Sequence, residues 1–93
     1  MSNSSLVDRQ LYYTTPEEES EWEMLEARWR GSMLFSVGCY EEALTAYEHA
    51  LQLDPKNSNA WKGKADTLAC LGRLGEAHMA YKRTLDLSLR FFF

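Results

Sequence analysis

The feature that most constrains the fold of this chain is a repeat with a period of 34 residues. Shifting the sequence by one period aligns Ala27 with Trp61, Gly31 with Ala65, Leu34 with Leu68, Gly38 with Gly72, Ala43 with Ala77, Tyr47 with Tyr81 and Leu51 with Leu85. A period of this length is typical of a repeated helical hairpin, which cannot bury its own apolar face and must pack on a neighbour. The sequence therefore predicts an all-α chain of two antiparallel helix-turn-helix hairpins.

The clearest helix start lies in the stretch TPEE at residues 15–18. A threonine hydroxyl can cap the helix, proline suits the first helical position, and carboxylates in the first turn are favoured by the helix dipole. Because no breaker precedes Gly38, we expect the first helix to run from about Pro16 to Val37. It would extend beyond the repeat unit itself.

Residues 1–14 show no sustained period. They are polar apart from a short apolar cluster of Leu11, Tyr12 and Tyr13. We therefore expect a tail that is flexible or docked through this cluster, followed by a helical domain over residues 15–93.

Three further helices are predicted by apolar periodicity and by the breakers between them. The second is expected over Tyr40–Leu53, where Asp54-Pro55 ends it, and the third over roughly 60–71, capped by the stretch NSN at residues 57–59. The fourth begins near Leu74. Since Leu89 stands where Pro55 stood one period earlier, we expect this last helix to continue through Leu85 and Leu89 toward Phe92.

Both repeats resemble the tetratricopeptide repeat, whose unit also has 34 residues. Over 24–57 the matching residues are Gly31, Leu34, Gly38, Tyr40, Ala43, Tyr47, Ala50 and Pro55, with departures at Ala27 and Arg30. Over 58–91 they are Trp61, Ala65, Leu68, Gly72, Leu74, Ala77 and Tyr81, with departures at Lys64, Thr84 and Leu89. The resemblance implies a fragment of an α-solenoid with extended first and last helices.

Small and large residues have different expected roles where the hairpins pack together. The small residues that would let helix backbones approach closely are Gly31, Ala43, Ala65 and Ala77. The large residues expected to fill the remaining space are Tyr47, Trp61, Leu68 and Tyr81.

The resemblance also implies a protein-binding function. In this family the first helix of each hairpin lines a concave groove that holds an extended peptide or a partner's helix. Carried over position by position, the groove residues are Arg28, Ser32, Phe35 and Ser36 from the first repeat and Lys62, Asp66, Ala69 and Cys70 from the second. In this arrangement Arg28 and Lys62 lie on one side, Asp66 lies between them, and Phe35 is the apolar anchor.

Some family members clamp the carboxyl terminus of heat-shock chaperones with a lysine and an asparagine one turn apart, followed by further polar residues. Lys62 matches the lysine, but Asp66 stands at the asparagine position and would repel a carboxylate. Arg28 with Ser32 matches only loosely, and two repeats are too few to complete the clamp. The sequence therefore disfavours this ligand.

The apolar end of the chain is its most unusual feature. The apolar residues there are Leu85, Leu87, Leu89, Phe91, Phe92 and Phe93. Repeat arrays need polar caps, and a large exposed apolar patch usually marks an interface. We expect self-association, for example as a homodimer, or docking on a larger partner through Leu89, Phe91, Phe92 and Phe93. A structural assembly factor permanently docked on a complex, with its groove unused, is the alternative.

Charge excludes some classes of partner. The chain has a net charge of −4, and residues 1–26 contribute seven acidic side chains against one basic. Nucleic-acid binding, including that of RNA-binding helical repeats, needs a basic face that is absent here. The acidic segment over residues 1–26 either attracts a partner electrostatically or is simply a solvated first helical turn. With Arg90 as its basic neighbour, the phenylalanine run has weak attraction for an anionic membrane surface.

No pattern for catalysis, a metal or a cofactor was found in the sequence. His49 is expected to point outward and His78, aligned with Leu44, to be packed and neutral; neither has a nucleophile partner. Cys39 and Cys70 lack zinc-ligand spacing and are expected to be small core or groove residues in a reducing compartment. With neither a signal-peptide pattern nor a transmembrane segment, a cytoplasmic, non-enzymatic protein is predicted.

Overall fold

A computed structural model of the protein describes residues 15–90 as four α-helices and no strand. They are α1 over Pro16–Ser36, α2 over Tyr40–Leu53, α3 over Ser58–Cys70 and α4 over Leu74–Leu89. Helix α1 packs on α2, α2 on α3 and α3 on α4, and α1 also meets α3. The predicted all-α architecture of two hairpins is confirmed. The predicted tail over residues 1–14 and the residues Phe91, Phe92 and Phe93 lie outside the described residues.

The helix starts follow from side chains that satisfy free backbone N–H groups. The Glu18 backbone N–H donates to Thr15 Oγ1 at 3.1 Å, and the Thr15 N–H donates to Glu18 Oε2 at 3.3 Å. This reciprocal pair is a capping box. At α3 the Ala60 N–H donates to Asn57 Oδ1 at 2.9 Å. Because Asn57 is the capping residue, α3 begins at Ser58, two residues before the predicted start.

The two hairpin turns are the same turn repeated. Gly38 and Gly72 both have positive φ, at 84° and 77°, a left-handed conformation that glycine adopts without strain. The residue after each glycine donates its backbone N–H back into the helix, from Cys39 to Leu34 at 2.8 Å and from Arg73 to Leu68 at 2.9 Å. These bonds end the first helix of each hairpin and send the chain back along it.

The core contains two clusters, one joining α1, α2 and α3 and the other joining α2, α3 and α4. The first contains Met24, Ala27, Ala50, Leu51 and Ala60. The second contains Leu44, Ala65, Leu68, Ala77 and Ala80. Trp61 packs against both clusters, so it joins the two hairpins into one stack.

Close approach between helices occurs at Tyr47, whose ring lies against two glycines. A Cβ atom on Gly31 would lie 3.0 Å from this ring, and one on Gly63 would lie 2.3 Å from it. The predicted role of Gly31 is supported by this geometry, and Gly63 is a second such position that the sequence comparison missed.

Two predictions about α4 are wrong. Tyr81, expected to fill space between hairpins, is 41% exposed, whereas Tyr47 one period earlier is 6% exposed. His78, expected to be packed like Leu44, is also exposed. The reason is that α3 covers these positions on α2, and no described helix follows α4 to cover them there.

Candidate protein-binding groove

Four of the predicted groove residues act on the hydroxyl of Tyr47, Ser32 through a hydrogen bond and Arg28, Lys62 and Asp66 through their charges. Helix α1 contributes Arg28 and Ser32, and α3 contributes Lys62 and Asp66. Burial raises the pKa of Tyr47, while Ser32, Arg28 and Lys62 oppose that rise. The phenol is therefore neutral at physiological pH and can donate a hydrogen bond within a mixed polar environment.

A shallow cavity of about 290 Å³ opens beside this hydroxyl. It is lined by Arg28, Trp29, Ser32, Tyr47 and Asn59. Three helices supply these walls, because α1 and α3 lie on either side and Tyr47 projects from α2 between them. The cavity therefore exists only where the two hairpins meet.

Asp66 connects α3 with α4. Its Oδ2 atom lies 3.5 Å from Lys62 Nζ one turn earlier, and its Oδ1 atom accepts a short hydrogen bond from the Tyr81 hydroxyl. This hydrogen bond raises the pKa of Tyr81 to about 12, with smaller contributions from burial and nearby charge. The carboxylate predicted to lie between the two cations is instead held by the second hairpin.

Arg28 has a second contact that bears on its role. Its Nη1 atom donates to Asn57 Oδ1 at 3.4 Å, the same oxygen that caps α3. Arg28 therefore helps to join α1 to the start of the second repeat, in addition to lining the cavity.

The other four predicted groove residues do not surround Tyr47. Phe35 is half-buried and packs edge-on against Tyr40, with ring centroids 5.3 Å apart. The Ser36 hydroxyl donates to the Ser32 carbonyl at 2.9 Å, and Ala69 packs against the second core cluster.

Cys70 is exposed and lies near Tyr81. Cys39 is exposed as well, so the core location considered for the two thiols is wrong.

Sequence reasoning missed three residues of this site. Tyr47 and Tyr81 were assigned to packing alone, although each hydroxyl faces the groove residues. Trp29 was not considered because the family pattern has no aromatic residue at its position. A usable signal was present for Tyr81, since it lies one period after Tyr47.

The side chains that line the groove can make hydrogen bonds and ion pairs. Within residues 15–90, no three His, Cys, Asp or Glu side chains are grouped so as to hold a metal ion. His49 is exposed, as predicted, and lines a surface depression with Glu23, Glu26 and Arg30 on α1. The groove offers hydrogen-bond donors from Arg28 and Lys62 and acceptors from Asp66.

Exposed apolar side chains lie on both outer helices of the stack. On α1 they are Trp22, Trp29 and Met33, with Val37 directly after the helix; on α4 they are Leu74, Met79, Tyr81, Leu85 and Leu89. Of the four residues predicted for self-association or docking, Leu89 is therefore exposed. Across the part of the chain that the structure describes, none of the helices has the length and apolarity needed to cross a membrane.

Comparison with known proteins agrees with the repeat geometry. The sequence model of the family described as tetratricopeptide repeat matches residues 23–90. A stretch of 52 residues is 38% identical to the TPR repeat-containing thioredoxin TTL4 of Arabidopsis thaliana. The matched stretch covers 56% of this chain and 8% of that relative, so the likeness concerns a small part of the relative.

Proposed function

The chain belongs to the tetratricopeptide repeat family, whose helical hairpins mediate protein–protein interaction, and we propose that its groove binds a peptide or helix of a partner without catalysis. The observation that supports this most is the cavity lined by Arg28, Trp29, Ser32, Tyr47 and Asn59, where the Tyr47 hydroxyl also experiences the charges of Lys62 and Asp66. These side chains come from two different repeats. A binding site of this kind is present only in the folded stack.

The ligand chemistry follows from the groups that line the groove. A peptide backbone offers both carbonyl and N–H groups, which match the cationic donors Arg28 and Lys62 and the acceptor Asp66. Trp29 adds an exposed aromatic face at the cavity wall. In this proposal Phe35, Ser36, Ala69 and Cys70 form the flanks of the groove rather than its centre.

The groove is tested by reversing its two cations together. Arg28→Glu with Lys62→Glu is expected to abolish binding of peptides that the wild-type chain selects from a random display library, measured by fluorescence anisotropy. The matched control is Lys56→Glu with Arg90→Glu, which changes the charge equally at two exposed positions away from the cavity. Since Arg28 also contacts Asn57, far-UV circular dichroism must show that both variants remain helical.

Two results contradict groove binding. One is that the wild-type chain selects no peptide, and the other is that a selected peptide binds the Arg28→Glu, Lys62→Glu variant as tightly as the control. Either result would favour the alternative function, a structural assembly factor that leaves its groove unused. The observation in favour of this alternative is the exposed apolar surface of α1 and α4.

We propose further that the open end at α4 is covered in the working protein. Leu89 is 42% exposed, and Leu85 is 58% exposed where its counterpart Leu51 is buried. Docking or self-association would include Phe91, Phe92 and Phe93, which follow Leu89 in the sequence. Burial of such side chains contributes on the order of 1.5–3 kcal/mol each.

The proposed compartment is the cytoplasm. Cys39 and Cys70 are both free and exposed thiols. Free thiols persist where glutathione and thioredoxin keep cysteines reduced, which is the support for this assignment.

A further inference from the structure

The outer face of α1 carries a stripe of exposed side chains with regular spacing. Its members are Trp22, Glu26, Trp29, Met33 and Val37, separated by four, three, four and four residues. At about 100° per residue these positions fall on one side of the helix. The buried residues of α1, Met24, Ala27 and Gly31, fall on the opposite side. We call this surface the α1 stripe.

The outer face of α4 carries a stripe with the same spacing. Its members are Leu74, His78, Tyr81, Leu85 and Leu89, again separated by four, three, four and four residues, and all are exposed. The buried residues Ala77, Ala80 and Leu87 face α3 instead. We call this surface the α4 stripe.

Spacings of three and four residues place side chains along one face of a helix. Such a face can form a seam in which one helix inserts side chains between those of another, as in a coiled coil. Each stripe has four apolar members and a single ionisable group near its start, Glu26 in the α1 stripe and His78 in the α4 stripe. Helices α1 and α4 lie at the two ends of the stack and have no contact with each other in the described chain. The two seams therefore face outward in different directions.

Charge disfavours the pairing of two α1 stripes. Helix α1 carries six glutamates and two arginines, a net of −4. Helix α4 is balanced, with two acidic and two basic side chains, and Arg73 and Arg90 flank it. Two α1 helices side by side would repel each other, whereas α1 beside α4 is favourable.

We propose that copies of this chain associate head to tail, with the α1 stripe of one copy packed against the α4 stripe of the next. This inference rests on the proposal that the open end at α4 is covered. The α1 stripe shares Trp29 with the wall of the groove cavity. Such a contact joins two different surfaces, so it generates rings or open filaments rather than a two-fold dimer.

The contact differs from the packing of one repeat on the next within the chain. Inside the chain, Tyr47 of α2 lies against Gly63 of α3, where even a Cβ atom would be 2.3 Å from its ring. The residue one period after Tyr47 is Tyr81 of α4, and the residue one period before Gly63 is Trp29 of α1. If a second copy continued the solenoid, these two side chains would take the places of Tyr47 and Gly63. Tryptophan cannot occupy the place of that glycine. The copies therefore meet along the seams and do not continue the solenoid.

The test uses two variants, each of which disrupts one of the two stripes. The variants are Trp29→Glu in the α1 stripe and Leu85→Glu in the α4 stripe, and Gln52→Glu is the control at an exposed position of α2. Mass is measured by light scattering over a concentration series. The wild type and the control are expected to rise above the 10.8 kDa of one chain, and each stripe variant alone to stay at that mass.

The decisive sample is an equimolar mixture of the two stripe variants. Each has one intact end, an α4 stripe in Trp29→Glu and an α1 stripe in Leu85→Glu, so the mixture is expected to form a 1:1 dimer that weakens as salt is raised. Because the substituted positions are exposed, circular dichroism should show unchanged helicity.

Three results would overturn head-to-tail association. A wild-type chain that stays at 10.8 kDa at all concentrations excludes contact between copies. Dimers of Trp29→Glu alone would mean that two α4 stripes pair, and dimers of Leu85→Glu alone would mean that two α1 stripes pair. Peptide binding measured on the monomeric Leu85→Glu variant, whose substitution lies on α4 and does not line the groove cavity, reports on the groove separately. Failure of one proposal is therefore distinguishable from failure of the other.

Discussion

At the scale of single residues, Asp66 joins the groove to the second hairpin. Its carboxylate forms an ion pair with Lys62 on α3 and accepts a hydrogen bond from the Tyr81 hydroxyl of α4. Since a carboxylate acceptor favours the protonated phenol, the contact holds the proton on Tyr81. A partner that recruits Asp66 must therefore compete with an interaction already made inside the protein.

Asp66→Asn is expected to lower the pKa of Tyr81 from about 12 toward the ordinary value of 10.0. The folded chain binds this proton more tightly than the unfolded chain, so the contact stabilises the fold fully below pH 10 and progressively less as the pH rises toward about 12. Tyrosine ring carbon shifts followed by NMR measure the pKa. Asp86→Asn on α4 is the control, and an unchanged Tyr81 pKa in Asp66→Asn would contradict this account.

Gly63 is a second residue whose role depends on its neighbour. Gly63→Ala adds a Cβ atom 2.3 Å from the Tyr47 ring, closer than real Cβ contacts occur. We expect a loss of about 1–3 kcal/mol in the free energy of unfolding from overpacking, measured by urea denaturation.

The matched control for that substitution is Gly75→Ala on α4, where an added Cβ meets nothing within 4 Å. There alanine is expected to stabilise the protein by up to about 1 kcal/mol, because it is the better helix former. If Gly63→Ala proved as stabilising as Gly75→Ala, the close packing of Tyr47 between the hairpins would be refuted.

At the scale of helices, the four elements are bounded by local signals that do not need the rest of the fold. Proline and three glutamates occupy the first turn of α1, and Thr15 closes a capping box with Glu18. Gly38 and Gly72 reverse the chain in the same left-handed conformation. These signals explain why the predicted starts of all four helices and the predicted ends of α1, α2 and α3 lie within two residues of the observed ones. Helix α4 ends at Leu89, before the predicted continuation toward Phe92.

Thr15→Ala removes the side-chain acceptor at the start of α1. The expected cost is about 0.5–2 kcal/mol of unfolding free energy, because the Glu18 N–H loses its partner. Thr45→Ala is the control, since that hydroxyl donates to the Glu41 carbonyl within α2 and alanine is favoured in a helix interior. Equal effects of the two substitutions in chemical denaturation would show that the capping box does not stabilise the chain.

At the scale of the whole molecule, the stack has two ends that the described helices do not cover. Positions of α2 that α3 buries correspond, one period later, to exposed positions of α4, and α1 exposes a second apolar stripe. The two repeats that the structure describes share one junction at which to bury a core, whereas repeat arrays generally need three or more. Association at the ends would add the apolar burial that a third repeat otherwise provides.

The sequence by itself determined the helices, their turns and their pairing into two hairpins. Helix caps, left-handed glycines and apolar periodicity act over a few residues, so they can be recognised without knowing what lies nearby in space. The sequence also predicted that Arg28, Ser32, Lys62 and Asp66 lie on the same side of the stack, because a fixed position within a repeat places a side chain on a fixed face of its helix. Their role in binding stays a prediction.

Only the tertiary structure decided which side chains are buried and which contact each other. Tyr47 and Tyr81 occupy equivalent positions, yet Tyr47 is buried and Tyr81 is half-exposed. The reason is that α3 follows α2 and covers Tyr47, whereas no helix follows α4 within the described residues. For the same reason His78 is exposed although Leu44 is buried. The contacts of Phe35 with Tyr40 and of Arg28 with Asn57 likewise depend on how the helices approach one another. Periodicity specifies the face of a helix, but burial depends on the neighbour that this face meets.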